Sequence, residues 1–285
     1  MNMTKWMMAG ALVWTMAACS GSGESEANTT DETLDSTETM EEKNPSVVGK
    51  EVSYTFDGLT MNGYMAYDEN AEGPQPGILV VHEWWGHNEY ARQRAEMLAE
   101  MGYVALAVDM YGDGKQADHP EDAGAFAGAV MGDLDAAKGR FEQAMATLSG
   151  TEQVDGEKIG AIGYCFGGGV VLAMASLGVD LDAVVSFHGS LPALAPEVGA
   201  VTAKVLVCNG ADDGFVPQEA IDAFTTNMEA AGADFQFVNY PGAVHSFTSK
   251  AADSLGPKFN LPLAYNAEAD QQSWQAMTEL FEKTF

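Results

Sequence analysis

A single cysteine framed by glycines, Gly163-Tyr164-Cys165-Phe166-Gly167, follows the buried run from Lys158 to Tyr164. The residues after it open a helix on small side chains, Gly167-Gly168-Gly169. A strand-to-helix elbow of this kind needs glycine on both sides, because its central residue is strained and its neighbours are crowded. Cysteine is reactive as the thiolate, so a nucleophilic role calls for a base nearby and a group to orient that base. Asp213 lies in the loop Asn209 to Pro217 after the apolar run Lys204–Val207, and His245 lies in the loop after Phe237–Tyr240. Each of the three falls just past a predicted strand, in the order nucleophile, acid, histidine. Singly they read as a core thiol, a helix-capping carboxylate before Pro217 and a loop histidine. Together they point to acyl transfer through a covalent cysteine.

The elements that must position them alternate between strand and helix. Glu51–Phe56 and Met61–Tyr67 flank Asp57-Gly58 as a hairpin. Gly77–Val81, Tyr103–Val108, 158–164, Ala183–Phe187 and Lys204–Val207 are apolar runs, as strands buried on both faces should be, and Phe235–Tyr240 is a further strand. Helices are predicted from Asn88 to Met101, from Pro120 to Leu148 with a break near Gly132, over 166–177, from Pro217 to Ala231 and from Ala267 to Glu282. The pattern predicts an α/β fold, with a mostly parallel central sheet flanked by helices on both faces. Ligand sites in such sheets lie beyond the carboxyl ends of the strands, where all three residues fall.

Four segments together resemble the dienelactone hydrolase family: Val81-His82-Glu83-Trp84-Trp85-Gly86, Gly163 to Gly168, Gly210 to Pro217, and Gly242-Ala243-Val244-His245-Ser246-Phe247. The resemblance runs from about residue 48 to the C-terminus. It implies an α/β-hydrolase fold and a triad carried here by Cys165, Asp213 and His245, with Glu83 contacting the thiol and helping to deprotonate it. Glu83 beside a thiolate is a like-charge conflict, so one member of the group should carry a proton at rest. The backbone N–H groups of Phe166 and Trp84 are the expected oxyanion hole, the first of them at a helix N-terminus. Trp84, Trp85, Tyr164 and His188 are candidate pocket residues. For the tryptophans the alternative is packing beneath the loop, and His188 is expected to support the site rather than act as its base. Cys208 reads as a core thiol.

One departure from the family bears on substrate. Dienelactone hydrolases hold a substrate carboxylate with arginines after the triad histidine and on the helix before the elbow. Here those stretches read Thr248-Ser249-Lys250 and Glu121 to Phe126, and the chain has only three arginines, Arg92, Arg94 and Arg140. Lys250 and Lys115 are the cations left to take part of that role. The formal net charge of -29 also repels anionic ligands, nucleic acid and anionic lipid.

The first residues are of a different kind. Lys5, the apolar run Trp6–Trp14 and Met16-Ala17-Ala18-Cys19 fit a signal peptide over 1–18, ending in a motif that lipidates Cys19. Residues 19–47 are polar and acidic with little to bury, and are expected to form a tether, leaving 48–285 as the folded domain. The implied localisation is the bacterial cell envelope, exported, with the lipid on the outer membrane. Three cysteines at 19, 165 and 208 make no disulfide scaffold, and His82-Glu83 lacks zinc-site spacing, so no metal and no cofactor are expected. The expectation is a monomeric hydrolase of a small ester or lactone. Its rivals are a thiol hydrolase of another acyl bond and a non-catalytic envelope binding protein on the same fold.

Overall fold

The computed structural model describes residues 44–285. The expected signal peptide, the expected lipidation at Cys19 and almost all of the expected tether lie outside the described residues.

Eight strands form one sheet. They are β1 (Val47–Phe56), β2 (Leu59–Asp68), β3 (Gln75–Val81), β4 (Val104–Val108), β5 (Val154–Tyr164), β6 (Ala183–Phe187), β7 (Lys204–Gly210) and β8 (Phe235–Tyr240), in the order β1-β2-β4-β3-β5-β6-β7-β8. The hairpin β1–β2 is antiparallel and β2 meets β4 antiparallel; all other pairings are parallel. Asp57 and Gly58, the turn residues of the hairpin, both take positive φ (48° and 78°), as a tight primed turn demands.

Helices are α1 (Glu89–Glu100), α2 (Pro120–Met131), α3 (Leu134–Ser149), α4 (Phe166–Ser176), α5 (Gln218–Ala231), α6 (Ala252–Phe259) and α7 (Ala267–Glu282). Alternate side chains of each buried strand go to opposite faces. Leu79 and Val81 of β3, and Val205 and Val207 of β7, join a core with Phe141 and Leu148 of α3, Val170 and Met174 of α4, and Phe224 of α5. Ile78, Val80, Leu206 and Cys208 face the other way, against Ala91, Ala95 and Leu98 of α1 and Met277 and Phe281 of α7. Every residue of α4 is buried, which is why its sequence carries no polar face.

Two differences from the sequence expectations are instructive. Strand β5 starts at Val154, not Lys158, because Val154 pairs with Gln75 before a register shift at Pro76/Gly77. Helix α6 was not expected, since Gly256 and Pro257 argue against one. It forms because Ala252 and Gly256 are buried against the chain that follows, and Asn260 ends it in the left-handed region (φ 54°).

The loop after β4 is organised by Asp109, which is fully buried. Its Oδ1 accepts from the N–H groups of Tyr111 and Gly112, and its Oδ2 from those of Asn62 and Gly114. A buried carboxylate with four N–H donors is well satisfied, and it ties this loop to β2. The Tyr111 hydroxyl in turn donates to the Trp84 carbonyl (3.0 Å), holding the loop that presents Glu83 and Trp84.

Candidate active site

Strand β5 ends at Tyr164, α4 starts at Phe166, and Cys165 makes the whole turn, with φ 53° and ψ -113°. Non-glycine residues pay for such a conformation, and it persists only where the surroundings enforce it. A Cβ on Gly163 would collide with the backbone of Gly167 and Gly168, and one on Gly167 with the carbonyls of Val81 and His82. The two glycines therefore let α4 start directly against β3 and β5. The Cys165 N–H donates to the Phe187 carbonyl (3.0 Å) and the Gly167 N–H to the His82 carbonyl (3.1 Å). Among the described residues, the backbone N–H groups of Phe166 and Trp84 have no backbone partner.

His245 reaches the elbow from the loop after β8. Its Nε2 lies 3.1 Å from Cys165 Sγ, and its Nδ1 lies 2.7 Å from Asp213 Oδ2. Asp213 is itself oriented, because its Oδ1 accepts from the Phe215 N–H (2.8 Å). It does not cap α5, whose N-cap is Pro217 without a side-chain bond. Burial pulls the His245 imidazole down. The Cys165 sulfur charge and the Asp213 hydrogen bond outweigh it and push the group up to about 10.

That shift has a sign in stability. An imidazole at 6.5 in the unfolded chain and about 10 in the fold adds stability that is complete below pH 6.5. The contribution fades as pH rises through about 10. Thermal melting should therefore show Tm falling between these limits in the wild type, and falling less in Cys165→Ala, which lacks the sulfur charge. Equal slopes for the two proteins would exclude the pairing as its source.

Glu83 is buried, and its carboxyl is raised by that burial, against the opposing pull of His245, the Ser246 hydroxyl and Arg94. Its bond in this structure is to Ser246 Oγ, which donates to Oε1 at 3.2 Å. The expected contact with the thiol is not made among the described residues: the sulfur faces His245 instead. Burial favours the uncharged form of the Glu83 carboxyl, which relieves the like-charge conflict.

The reacting groups open into a cavity of about 310 Å³. Its walls are Trp84, Phe166, Ser190, Phe215 and Leu263, with Ala127, Gly128 and Met131 from α2. Trp84 is the one pocket candidate of the tryptophan pair that lines it. Trp85, Tyr164 and His188 do not. Trp85 packs beneath the loop against Trp84 and Phe259, Tyr164 stacks on Phe187 with no exposure, and His188 is fully buried behind Cys165. Side chains that end a buried strand turn inward here, and the pocket wall comes from loops and α2. Lys115 and Lys250 are also absent from it: Lys115 pairs with Asp113, and Lys250 lines a separate cleft of about 520 Å³ along α1.

The remaining sequence candidates have structural posts. His82 accepts from the Met110 N–H and stacks on Phe166, His119 caps α2, and Cys208 is a buried free thiol receiving the Tyr240 hydroxyl (3.7 Å). Among the described residues no three His, Cys, Asp or Glu side chains are grouped to hold a metal. The α2 residues of the wall, and Phe215 and Leu263, had no signal in the sequence beyond their apolarity.

A solved dienelactone hydrolase-like protein from metagenomic libraries, described as a promiscuous phosphotriesterase, is 37% identical. It superposes with a TM-score of 0.77 over 84% of this chain and 99% of its own. A Methylorubrum extorquens protein provisionally named a carboxymethylenebutenolidase is 32% identical over 232 residues, 73% of this chain and 72% of its own. A structure from Klebsiella pneumoniae, 24% identical with a TM-score of 0.69 over 83% of this chain and 99% of its own, shares the α/β-hydrolase fold. The model of the dienelactone hydrolase family matches residues 61–285, which include the elbow and the loops of Asp213 and His245. By sheet order, by elbow and by this match, the chain belongs to the dienelactone hydrolase family.

Proposed function

We propose that this hydrolase cleaves neutral esters or lactones through a cysteinyl acyl-enzyme, with Cys165 as nucleophile, His245 as acid and base, and Asp213 orienting His245. The observation that carries the reading is the 2.7 Å and 3.1 Å pair of contacts that links Asp213, His245 and the Cys165 sulfur at the floor of the cavity. With the proton on His245, Cys165 Sγ attacks the carbonyl carbon, and the carbonyl electron pair moves to oxygen. The N–H groups of Phe166 and Trp84 are the donors for that oxyanion. Collapse of the adduct breaks the carbon–oxygen bond, and the leaving alkoxide takes the proton from His245. Water then gives its proton to His245 and attacks the thioester, releasing the acid and restoring the sulfur.

Two features support a neutral substrate. The cavity wall has no lysine or arginine, and the stretches that carry the family's carboxylate-binding arginines hold none. A substrate carboxylate held against this largely apolar wall would have no guanidinium or ammonium group to pair with, which is costly. The relative described as a phosphotriesterase makes a neutral phosphotriester a fair second substrate for the same pocket. The test is a hydrolysis screen of neutral esters, lactones, a thioester, an amide, a phosphotriester and a carboxylate-bearing dienelactone, with Cys165→Ala as control. Neutral esters or lactones should be turned over best. Preference for the anionic dienelactone, or no turnover of any, would refute the reading.

Gly128 sets how much room the substrate has. Glycine inside a helix costs about 1 kcal/mol relative to alanine. Gly128 has no steric reason to be glycine, since a Cβ there meets nothing within 4 Å. It lies on the cavity wall, whereas Gly124, equally unencumbered one turn earlier, does not. Gly128→Leu should lower kcat/KM for bulky esters about tenfold or more relative to acetyl esters, in line with methylene-scale discrimination in apolar pockets. Gly124→Leu should leave that ratio unchanged. The ratio of the two kcat/KM values in each variant is the measurement.

A further inference from the structure

His188 follows β6 with φ 41°, in the left-handed region that favours glycine, and none of its surface is exposed. It lines no part of the cavity, and the reaction above does not use it. Its imidazole nonetheless bonds on both nitrogens. Nδ1 accepts from the Cys165 N–H at 3.2 Å, sharing that proton with the Phe187 carbonyl. Nε2 lies 2.7 Å from Thr248 Oγ1, which is hydrogen-bonded to the Tyr90 hydroxyl at 2.6 Å.

These contacts fix the tautomer. A backbone N–H can only donate, so Nδ1 must carry its lone pair and Nε2 the hydrogen, which then donates to Thr248. Arg94 locks the far end: its Nε donates to the Tyr90 hydroxyl (3.2 Å), and its Nη2 to the Thr248 carbonyl (2.8 Å) and Asp270 (2.7 Å). Burial, then the charges of His245 and Arg94, hold the His188 imidazole well below its usual range. A protonated ring would set an N–H against the Cys165 N–H.

We propose that His188 is a positioning residue for the elbow: its Nδ1 takes the Cys165 N–H and aims the peptide from which both the sulfur and the Phe166 N–H hang. Its catalytic consequence rests on the reading of Cys165 as nucleophile. The contact stiffens a strained turn whose central residue, Cys165, makes no side-chain cap bond on α4. A misaimed elbow would displace sulfur and oxyanion donor together, and displacements of about 1 Å cost up to roughly 100-fold in rate.

The variants that test it are His188→Leu, His188→Asn and Thr248→Val, assayed on the neutral ester the screen selects. His188→Leu should lower kcat about tenfold or more with KM within about twofold. His188→Asn should recover most of that loss, because its amide oxygen can replace Nδ1 and asparagine tolerates positive φ. Thr248→Val, which removes the Nε2 partner while keeping the side-chain shape, should lower kcat severalfold. Full kcat in His188→Leu, or an Asn variant as impaired as the Leu variant, would overturn the proposal. Imidazole ¹⁵N NMR of the wild-type protein reads the contact without any substrate and covers the case of a variant that does not fold. An unprotonated Nδ1 and protonated Nε2 across the neutral range supports the proposal, and a protonated Nδ1 overturns it. A wild type that hydrolyses nothing would instead refute the proposed reaction, while the NMR signature would still decide the His188 contact.

Discussion

Cys165→Ala is expected to lose at least about 10⁴-fold in kcat on any ester the wild type hydrolyses, while its fold is kept and its melting near neutral pH drops by no more than the loss of the pairing with His245. Removing the nucleophile of a triad removes the covalent path entirely, and what remains is the modest help of the oxyanion donors and binding. The stability side is argued from position. Cys165 is half-buried at the cavity floor, so replacing its thiol by a methyl leaves space that opens to solvent rather than a closed void. Steady-state kinetics beside thermal melting separate the two effects. Turnover within about tenfold of wild type would mean that another group attacks the carbonyl.

Gly163→Ala is expected to do the reverse, harming the fold first and the reaction as a consequence. The added methyl would meet the Gly167 carbonyl and the Gly168 nitrogen, which are backbone atoms of the first turn of α4. A flexible side chain could swing aside; a helix buried on every face cannot. Overpacking a rigid core costs about 1–3 kcal/mol, and at the upper end a domain of this size should lose roughly 6–12 °C in Tm. The elbow would shift with α4, so kcat should also fall. Gly124→Ala makes the control, because its methyl meets nothing and it should leave Tm unchanged or raise it slightly. Equal Tm for Gly163→Ala and the wild type would show that α4 can retreat, and that the glycine frame of the elbow is not a steric requirement.

Much of the scaffold was legible because local chemistry and the global fold agree. The buried strands β3, β4, β6 and β7 are short apolar runs closed by turn residues, and each lies within a few residues of its expected bounds. Asn88 before α1 and Gly102 after it are ordinary cap and stop signals, and Asn88 does accept from the Tyr90 N–H. The elbow was legible for the same reason, since Gly163 and Gly167 are required by contacts of the turn itself. What failed had no local signal. Helix α6 depends on a close approach of Gly256 to the carbonyls of Leu261 and Leu263, which overrides the poor propensity of Gly256-Pro257.

The pocket was misread for a similar reason. Tyr164 and His188 adjoin the carboxyl ends of strands, where ligand sites of such sheets lie, yet both side chains are fully buried away from the cavity. The real wall draws on segments far apart in sequence, α2, Phe215 and Leu263, that meet only in three dimensions. Glu83 shows the limit of motif reasoning in a finer way. Its motif placed it correctly in the buried site, yet its partner is the Ser246 hydroxyl, and which neighbour a buried carboxyl bonds depends on rotamers no motif specifies. Asp109 carries no local signal of its role, although it gathers four N–H donors, because such a role appears only when the loop closes around it.

The covalent intermediate can be looked for directly. The wild-type protein is mixed with a short activated ester, quenched in acid within the first turnovers, and mapped by peptide mass spectrometry. The acyl group should be found on the peptide carrying Cys165, at a level that rises and then persists at steady state, and should be absent from the Cys165→Ala protein. Rapid hydrolysis with no acyl group on Cys165 at any time, or acylation of another residue, would contradict a cysteinyl acyl-enzyme.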